Sequence, residues 1–149
     1  METKILVVDD EAAIREILQF NLENAGYDVE SASSAEEALE VLDDSHSLIL
    51  LDVMMGGMSG FKMVQVLRKE LKNDVPVIFL TAKSDPNDLL TGFSTGADDY
   101  IAKPFSIHEV LARVKAVLKR TERQEQKVEL IEAGEIRIDV QNKNVYVSG

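Results

Sequence analysis

Acidic side chains follow two short apolar runs that have the composition of buried strands. Asp9 and Asp10 come directly after residues 5–8, and Asp52 comes directly after residues 48–51. Clustered carboxylates repel one another unless a cation neutralises them, and oxygen ligands of this kind suit Mg²⁺. A carboxylate can also attack a phosphoryl donor and form an aspartyl phosphate. The pattern therefore predicts a magnesium site that includes a phosphoryl-accepting aspartate.

A hydroxyl group and an ammonium group follow two further apolar runs. Thr81 comes after residues 75–80, and Lys103 comes after residues 100–102. Ligands of an open parallel sheet bind beyond the carboxyl ends of its strands, so these side chains should join the acidic ones. The lysine would neutralise a transferred phosphoryl group, and the threonine would donate a hydrogen bond to it. Each residue alone has an ordinary explanation, such as a helix cap, but the agreement of four strand ends favours a functional site.

The elements that must position these residues can be read from the apolar spacing. Strands are predicted at residues 5–8, 27–32 (an edge strand), 48–51, 75–80 and 100–102. Helices are predicted within residues 11–25, from Ser34, around the apolar set Phe61, Val64, Leu67 and Leu71, from Ser84, and from Ser106. This alternation predicts an α/β fold, a doubly wound five-stranded parallel sheet of order 2-1-3-4-5 with helices on both faces.

The alternation stops after about residue 120. Residues 121–127 are polar and are typical of a linker or a helix tail, whereas residues 136–147 show the pattern of a β-hairpin. Two short strands are only marginally stable alone, so we expect the hairpin to begin a second, truncated domain. The expected organisation is a first domain at residues 1–120, a linker at 121–127, and the start of a second, truncated domain at 128–149.

Composition excludes several classes of function. The 149 residues include no cysteine, which rules out disulfides, thiol nucleophiles and thiolate metal sites. No apolar run approaches the ~20 residues that cross a bilayer, so we expect a cytoplasmic protein without a membrane partner. The net charge of −11 argues against these residues binding nucleic acid by themselves.

Four segments closely resemble the motifs of bacterial response-regulator receiver domains, in the same order and with the same spacing. They are VDDE at residues 8–11, LDVMM at 51–55, LTAK at 80–83 and GADDYIAKPF at 96–105. The resemblance covers residues 3 to about 120 and implies a CheY-like, flavodoxin-like fold. It also implies a signalling regulator rather than an enzyme, one that catalyses only its own phosphorylation and slow dephosphorylation.

The resemblance implies a role for each residue of the site. Asp52 would be the phosphoacceptor, assisted by Lys103 and Thr81. Lys103 would precede Pro104 through a cis peptide bond, and Thr81 and Tyr100 would form the switch pair. The Mg²⁺ cofactor would be held by Asp9, Asp10, Asp52 and the backbone carbonyl of Met54.

The tail also resembles a family. Residues 131–149 look like the opening sheet of the winged-helix output domain of OmpR/PhoB-type transcription factors. This implies phosphorylation by a sensor histidine kinase, a homodimer on phosphorylation, and DNA binding through the output domain rather than through this fragment. The implied dimer interface consists of Asp98, Asp99, Glu109, Arg113 and Arg120; Leu89 and Thr95 depart from the family pattern there.

Other departures and isolated residues carry expectations of their own. Gly56 stands where the family usually has proline, and Gly57 follows it. We therefore expect a mobile loop after the third strand and a weaker Mg²⁺ affinity. His46 and His108 are expected at the surface. The methionines are expected to fill gaps in helix and loop packing; they are Met54, Met55, Met58 and Met63.

Three alternatives remain open. A phosphohydrolase with an aspartyl-phosphate intermediate would need an acid two residues after its nucleophile, where Met54 stands. A flavodoxin-like FMN carrier would need a phosphate-binding loop after the first strand, where the acidic residues would repel phosphate. A degenerate receiver that signals without phosphorylation finds support only in Gly56.

Overall fold

The computed structural model describes residues 3–81 and 96–132, with side chains described as far as residue 121. The chain divides into two compact units, residues 1–118 and residues 119–149. Within the described residues, no helix combines the length and the apolar character needed to cross a membrane.

Five parallel strands form one sheet in the first unit. Their order is β2-β1-β3-β4-β5, as the sequence predicts. β2 lies on one side of β1, and β3 lies on the other. Ligands of open parallel sheets bind at the carboxyl ends of the strands where the strand order reverses in this way. The strands are β1 (Lys4–Val8), β2 (Asp28–Ala32), β3 (His46–Asp52), β4 (Val77–Thr81) and β5 (Asp99–Ala102).

Four α-helices accompany these strands in the described residues. They are α1 (Ala12–Asn24), α2 (Ala35–Val41), α3 (Gly60–Gln65) and α4 (Ile107–Glu132). The last helix continues through residues 121–127, which the sequence marks as a linker or a helix tail. The helix predicted from Ser84, the positions of Leu89 and Thr95, and the hairpin predicted at residues 136–147 lie outside the described residues.

The helices cover both faces of the sheet, as predicted. On one face, alternate strand residues such as Leu6 and Ile49 pack with α2, α3 and the turn after α3. On the other face, their neighbours, such as Val7 and Leu50, pack with α1 and α4. Since both faces are buried, the middle of each central strand is apolar, and this explains the continuous apolar runs in the sequence.

Local signals in the sequence correctly place several helix ends. The hydroxyl oxygen of Ser34 accepts a hydrogen bond from the Glu37 N–H at 3.0 Å, and that of Ser106 accepts one from the Glu109 N–H at 3.1 Å. Gly26 follows the end of α1 with φ at 101°, in the left-handed region that favours glycine. These ends need no tertiary contact, which is why the sequence predicts them.

The apolar pattern of the third helix is interrupted where the sequence predicts continuity. After α3 the chain forms a π-helical turn, Val66–Glu70, in which the Leu71 N–H donates to the carbonyl of Val66 at 3.0 Å. The wider turn shifts the residues after it around the helix axis, away from the positions that they would have in a regular α-helix. The assignment of Leu71 to the apolar face is therefore wrong, and its side chain is 54% exposed.

His46 is buried, so its predicted surface position is wrong. Its Nδ1 accepts a hydrogen bond from the Asp43 N–H at 3.2 Å, which leaves Nε2 to donate to Glu30 Oε1 at 2.8 Å. This hydrogen bond lowers the pKa of Glu30. The lone histidine is thus a hydrogen-bonded structural residue at the start of β3, whereas His108 is exposed as predicted.

Removing the His46 ring should destabilise the fold. In His46→Ala, the hydrogen bonds of the ring with the Asp43 N–H and the Glu30 carboxylate are lost and the ring leaves a gap, so we expect the free energy of unfolding to fall by about 1–3 kcal/mol. Urea denaturation measures this change. His108→Ala is the matched control and should stay within about 0.5 kcal/mol of wild type. Equal effects in both variants would contradict the structural role of His46.

Candidate functional site

Three carboxylates converge at the carboxyl edge of the sheet. Asp9 and Asp10 follow β1, and Asp52 ends the neighbouring strand β3. One oxygen atom from each carboxylate lies within 4.8 Å of the others. Asp9 and Asp52 are buried, whereas Asp10 is exposed. The predicted acidic cluster is therefore present, and it faces solvent through Asp10.

A lysine from the far side of the sheet meets two of these carboxylates. The Nζ atom of Lys103 lies 3.2 Å from Oδ2 of Asp9 and 3.4 Å from Oδ1 of Asp52. Lys103 follows β5, and the Lys103–Pro104 peptide bond is cis, as the family resemblance implies. The lysine is therefore held between the two buried acidic groups.

The electrostatics of the site follow from its burial. Loss of hydration, followed by the neighbouring charge of Asp9, raises the pKa of the Asp52 carboxyl to about 6, although Lys103 opposes this shift. Burial disfavours the charged form of Lys103, but the carboxylates of Asp52 and Asp9 outweigh it and raise the pKa of the lysine. One ammonium group thus only partly compensates the negative charge, and a further cation would be stabilised here.

Backbone contacts hold the start of the loop after β1. Oδ1 of Asp9 accepts a hydrogen bond from the Glu11 N–H at 2.9 Å. The guanidinium of Arg15, one turn into α1, donates to the carbonyl of Asp9 at 2.7 Å. Both contacts orient Asp9, and Arg15 is a positioning residue that the sequence alone does not reveal.

The end of β3 is held by a close approach of α3. The Gly60 N–H donates to the carbonyl of Val53 at 3.0 Å, and a Cβ atom at Gly60 would lie 2.5 Å from the carbonyl oxygen of Asp52. Only glycine fits this approach without displacing the backbone. The Met54 N–H donates to Oδ1 of Asp52 at 3.3 Å, while the Met54 side chain is 68% exposed.

The remaining methionines near this loop pack as predicted. Met63 is fully buried in α3, and Met55 and Met58 are partly buried against the same core face. The exposed thioether of Met54 is the exception to the predicted role of these residues as gap fillers.

The two predicted switch residues occupy neighbouring strands. Thr81 ends β4 and is buried, and its carbonyl accepts a hydrogen bond from the Lys103 N–H at 2.7 Å. Tyr100 lies in β5 with its ring directed into the core, its centroid 5.7 Å from that of Phe79. Thr81 is thus connected to the site through the backbone of Lys103.

Arg113 contacts two of the other predicted dimer-interface residues within the chain. Arg113 Nη1 lies 3.0 Å from each carboxylate oxygen of Asp99, and Arg113 Nε lies 3.3 Å from Oε2 of Glu109. The hydrogen bond that Arg113 donates to Asp99 is the main cause of the raised pKa of Arg113. Asp98 instead accepts a hydrogen bond from the Val77 N–H at 2.8 Å. Arg120 is exposed in α4.

Comparison with known proteins identifies the class to which this site belongs. The response regulator receiver domain family matches residues 5–115, which include every residue of the acidic site. The chain belongs to this family. It is the receiver domain of a two-component response regulator, as the sequence motifs predict.

Its relatives are transcriptional regulators. The chain is 48% identical over 149 residues to the probable transcriptional regulator ycf27 of Porphyridium aerugineum, covering 96% of this chain and 61% of that protein. It is 50% identical over 123 residues to the alkaline phosphatase synthesis transcriptional regulatory protein PhoP of Bacillus subtilis, covering 82% and 51%. The chain therefore spans at most about three fifths of these relatives.

Solved receiver structures share the fold. The chemotaxis protein CheY4 of Vibrio cholerae superposes with a TM-score of 0.73 at 32% identity, covering 78% of this chain and 99% of that one. A CheY-like receiver domain protein from Methanospirillum hungatei gives 0.77 at 29% identity, covering 83% and 99%. These similarities confirm the predicted CheY-like architecture.

A side chain at position 60 should disturb the end of β3. In Gly60→Ala the new methyl group meets the Asp52 carbonyl, so we expect the free energy of unfolding to fall by about 1–3 kcal/mol. Gly56→Ala is the matched control, because a Cβ atom there meets nothing within 4 Å. Urea denaturation of both variants measures the difference. A Gly60→Ala protein as stable as Gly56→Ala would show that this approach is not tight.

Proposed function

We propose that this domain accepts a phosphoryl group on Asp52 from a sensor histidine kinase and, in the phosphorylated state, forms a dimer that controls transcription. The observation that carries the proposal is the contact of Lys103 with both Asp9 and Asp52 beside a third carboxylate. A nucleophilic oxygen, a fixed cation and a set of oxygen ligands for a metal are the parts that phosphoryl transfer requires.

The donor atoms suit Mg²⁺. Three carboxylates within 4.8 Å form an all-oxygen set, and the exposure of Asp10 leaves room for water and phosphate oxygens. Asp9, Asp10 and Asp52 would hold the ion together with the carbonyl of Met54. When bound, Mg²⁺ neutralises charge on the transferring phosphoryl group.

Each residue of the site would have its own role in phosphoryl transfer. A carboxylate oxygen of Asp52 attacks phosphorus, a new P–O bond forms, and the bond between phosphorus and the donor breaks. Lys103 pairs with the phosphoryl oxygens, and the hydroxyl of Thr81 donates a hydrogen bond to them. Tyr100 reorients with Thr81 and transmits the change to the surface around β5.

The other sequence alternatives receive less support. Met54, at the position where a phosphohydrolase needs its second acid, carries an exposed thioether. Beside β1, the carboxylates of Asp9 and Asp10 stand where an FMN carrier must bind phosphate. Once these two activities are set aside, phosphorylation of the protein itself is the chemistry that fits the site. We therefore propose a regulator whose catalysis is limited to its own phosphorylation and slow dephosphorylation. DNA binding would belong to an output domain.

Phosphorylation at a single residue is the direct test. After incubation with acetyl phosphate and Mg²⁺, intact-mass spectrometry should detect one phosphoryl adduct. Asp52→Asn should abolish the adduct because its amide is not nucleophilic, and a chelator should suppress it in wild type. Asp28→Asn, an exposed aspartate in the edge strand, is the control that should be modified normally. A wild-type protein that binds Mg²⁺ but takes up no phosphoryl group would point to a degenerate receiver.

Dimerisation is tested through Arg113. If its ion pairs with Asp99 and Glu109 exchange across a two-fold axis, Arg113→Ala should weaken dimerisation of the phosphorylated protein by about two- to tenfold. Analytical ultracentrifugation with acetyl phosphate and Mg²⁺ measures the dissociation constant. Lys115→Ala removes an exposed cation from the same helix and should leave it unchanged. An unchanged constant in Arg113→Ala would exclude this residue from the interface.

A further inference from the structure

The loop between β3 and α3 is connected to a distant helix by one hydrogen bond. The Met58 N–H donates to Oε2 of Glu36 at 3.1 Å, across 22 residues of sequence. Glu36 lies in the first turn of α2, which packs on the same face of the sheet as α3. The loop is therefore held from outside its own sequence, by a hydrogen bond to a carboxylate.

Gly57 makes this contact possible. Its φ of 78° lies in the left-handed region, and a Cβ atom there would be 3.1 Å from Oε2 of Glu36. A side chain at this position would strain the backbone and crowd the carboxylate. The contact with Glu36 thus explains the second glycine of the pair. Gly56, in contrast, has no positive φ, and a Cβ atom there would meet nothing within 4 Å.

Few other bonds restrain the middle of the loop. At its start, the Met54 N–H donates to Oδ1 of Asp52, and at its end the Gly60 N–H donates to Val53. Between them, in the part of the chain that the structure describes, the N–H groups of residues 55–57 donate no hydrogen bond. Just before Met54, the Val53 N–H donates to the carbonyl of Leu80 in β4 at 3.1 Å. After Met54, whose carbonyl is the proposed metal ligand, the bond to Glu36 is the external hydrogen bond that restrains residues 55–58 in the described part of the chain.

We infer that Glu36 is a positioning residue for the magnesium site. This inference rests on the proposed function. By holding Met58, Glu36 restricts the loop that carries the Met54 carbonyl, and it supplies the rigidity that a proline at position 56 would otherwise supply. Metal binding then costs less ordering of the loop, because part of that ordering exists in the metal-free protein.

An ordinary structural role must be separated from this one. An acidic residue in the first turn of a helix stabilises the helix through its dipole. Glu36→Gln removes the charge but keeps a side-chain oxygen that accepts from the Met58 N–H, whereas Glu36→Ala removes both. Glu40→Ala removes a charge from an exposed position of the same helix and serves as the matched control.

Two measurements test the inference. Amide hydrogen exchange at Met58 in the metal-free protein, followed by NMR, reports the restraint on the loop. Titration calorimetry with Mg²⁺ alone reports the dissociation constant. For Glu36→Ala we expect both the exchange rate and the dissociation constant to rise about two- to tenfold. Glu36→Gln should show less than half of this effect on a logarithmic scale, and Glu40→Ala should match wild type.

A second substitution provides a rescue test. Gly56→Pro restricts the same loop by a different physical route, and the space around position 56 is open. In the Glu36→Ala background it should recover part of the lost Mg²⁺ affinity. Damage confined to α2 would not be repaired by a substitution in the loop.

The outcomes are distinguishable from those of the proposed function. A wild-type protein that binds no Mg²⁺ would overturn the proposed function, and the inference with it. Wild-type binding with equal Mg²⁺ affinity in Glu36→Ala would overturn the inference alone. Equal losses in Glu36→Ala and Glu36→Gln would also overturn it, since they would assign the effect to charge rather than to the hydrogen bond.

Discussion

Two buried carboxylates, those of Asp9 and Asp52, lie close together at the carboxyl edge of the sheet, and the structure around them must compensate their charge. Asp9 and Asp52 lose hydration and repel each other, which is why the pKa of Asp52 rises to about 6. Lys103 compensates part of this charge by contacting both groups. The remaining imbalance makes the site a place where added positive charge is stabilised, and the proposed magnesium site rests on this property.

The topology of the sheet brings these charges together. β1 and β3 are neighbours, so the residues that follow them are adjacent although a strand and two helices separate them in the chain. Lys103 follows β5, the outermost strand on the other side of β3, and lies 94 residues after Asp9 in the sequence. Apolar residues on both faces of the central strands form the core, and the buried polar groups Asp9, Asp52 and Thr81 lie at the carboxyl ends of these strands. A rigid sheet with functional loops is the division of labour expected for this fold class.

Individual contacts from neighbouring elements restrain the loops at this rim. Arg15 donates a hydrogen bond to the carbonyl of Asp9, and Glu36 accepts one from the Met58 N–H. Gly60 lacks a side chain, so α3 can lie close to the backbone of Asp52. Arg15, Gly60 and Glu36 are not themselves among the residues that we propose to take part in phosphoryl transfer. They were missed by sequence reasoning because each residue has an ordinary local explanation, as a polar or small residue near the start of a helix. Their partners become visible only when distant segments are placed together.

The amino-acid sequence by itself determined the sheet order, the helices on both faces, several helix caps, and the identity of the acidic cluster with its lysine. Strand periodicity and capping are local, and the carboxyl ends of parallel strands must share an edge. Tertiary structure alone decided the burial of His46, the exposure of Leu71, and the hydrogen bond between Glu36 and Met58. These depend on hydrogen-bonding partners distant in sequence, or on a single wider helical turn, and the apolar pattern of a sequence encodes neither.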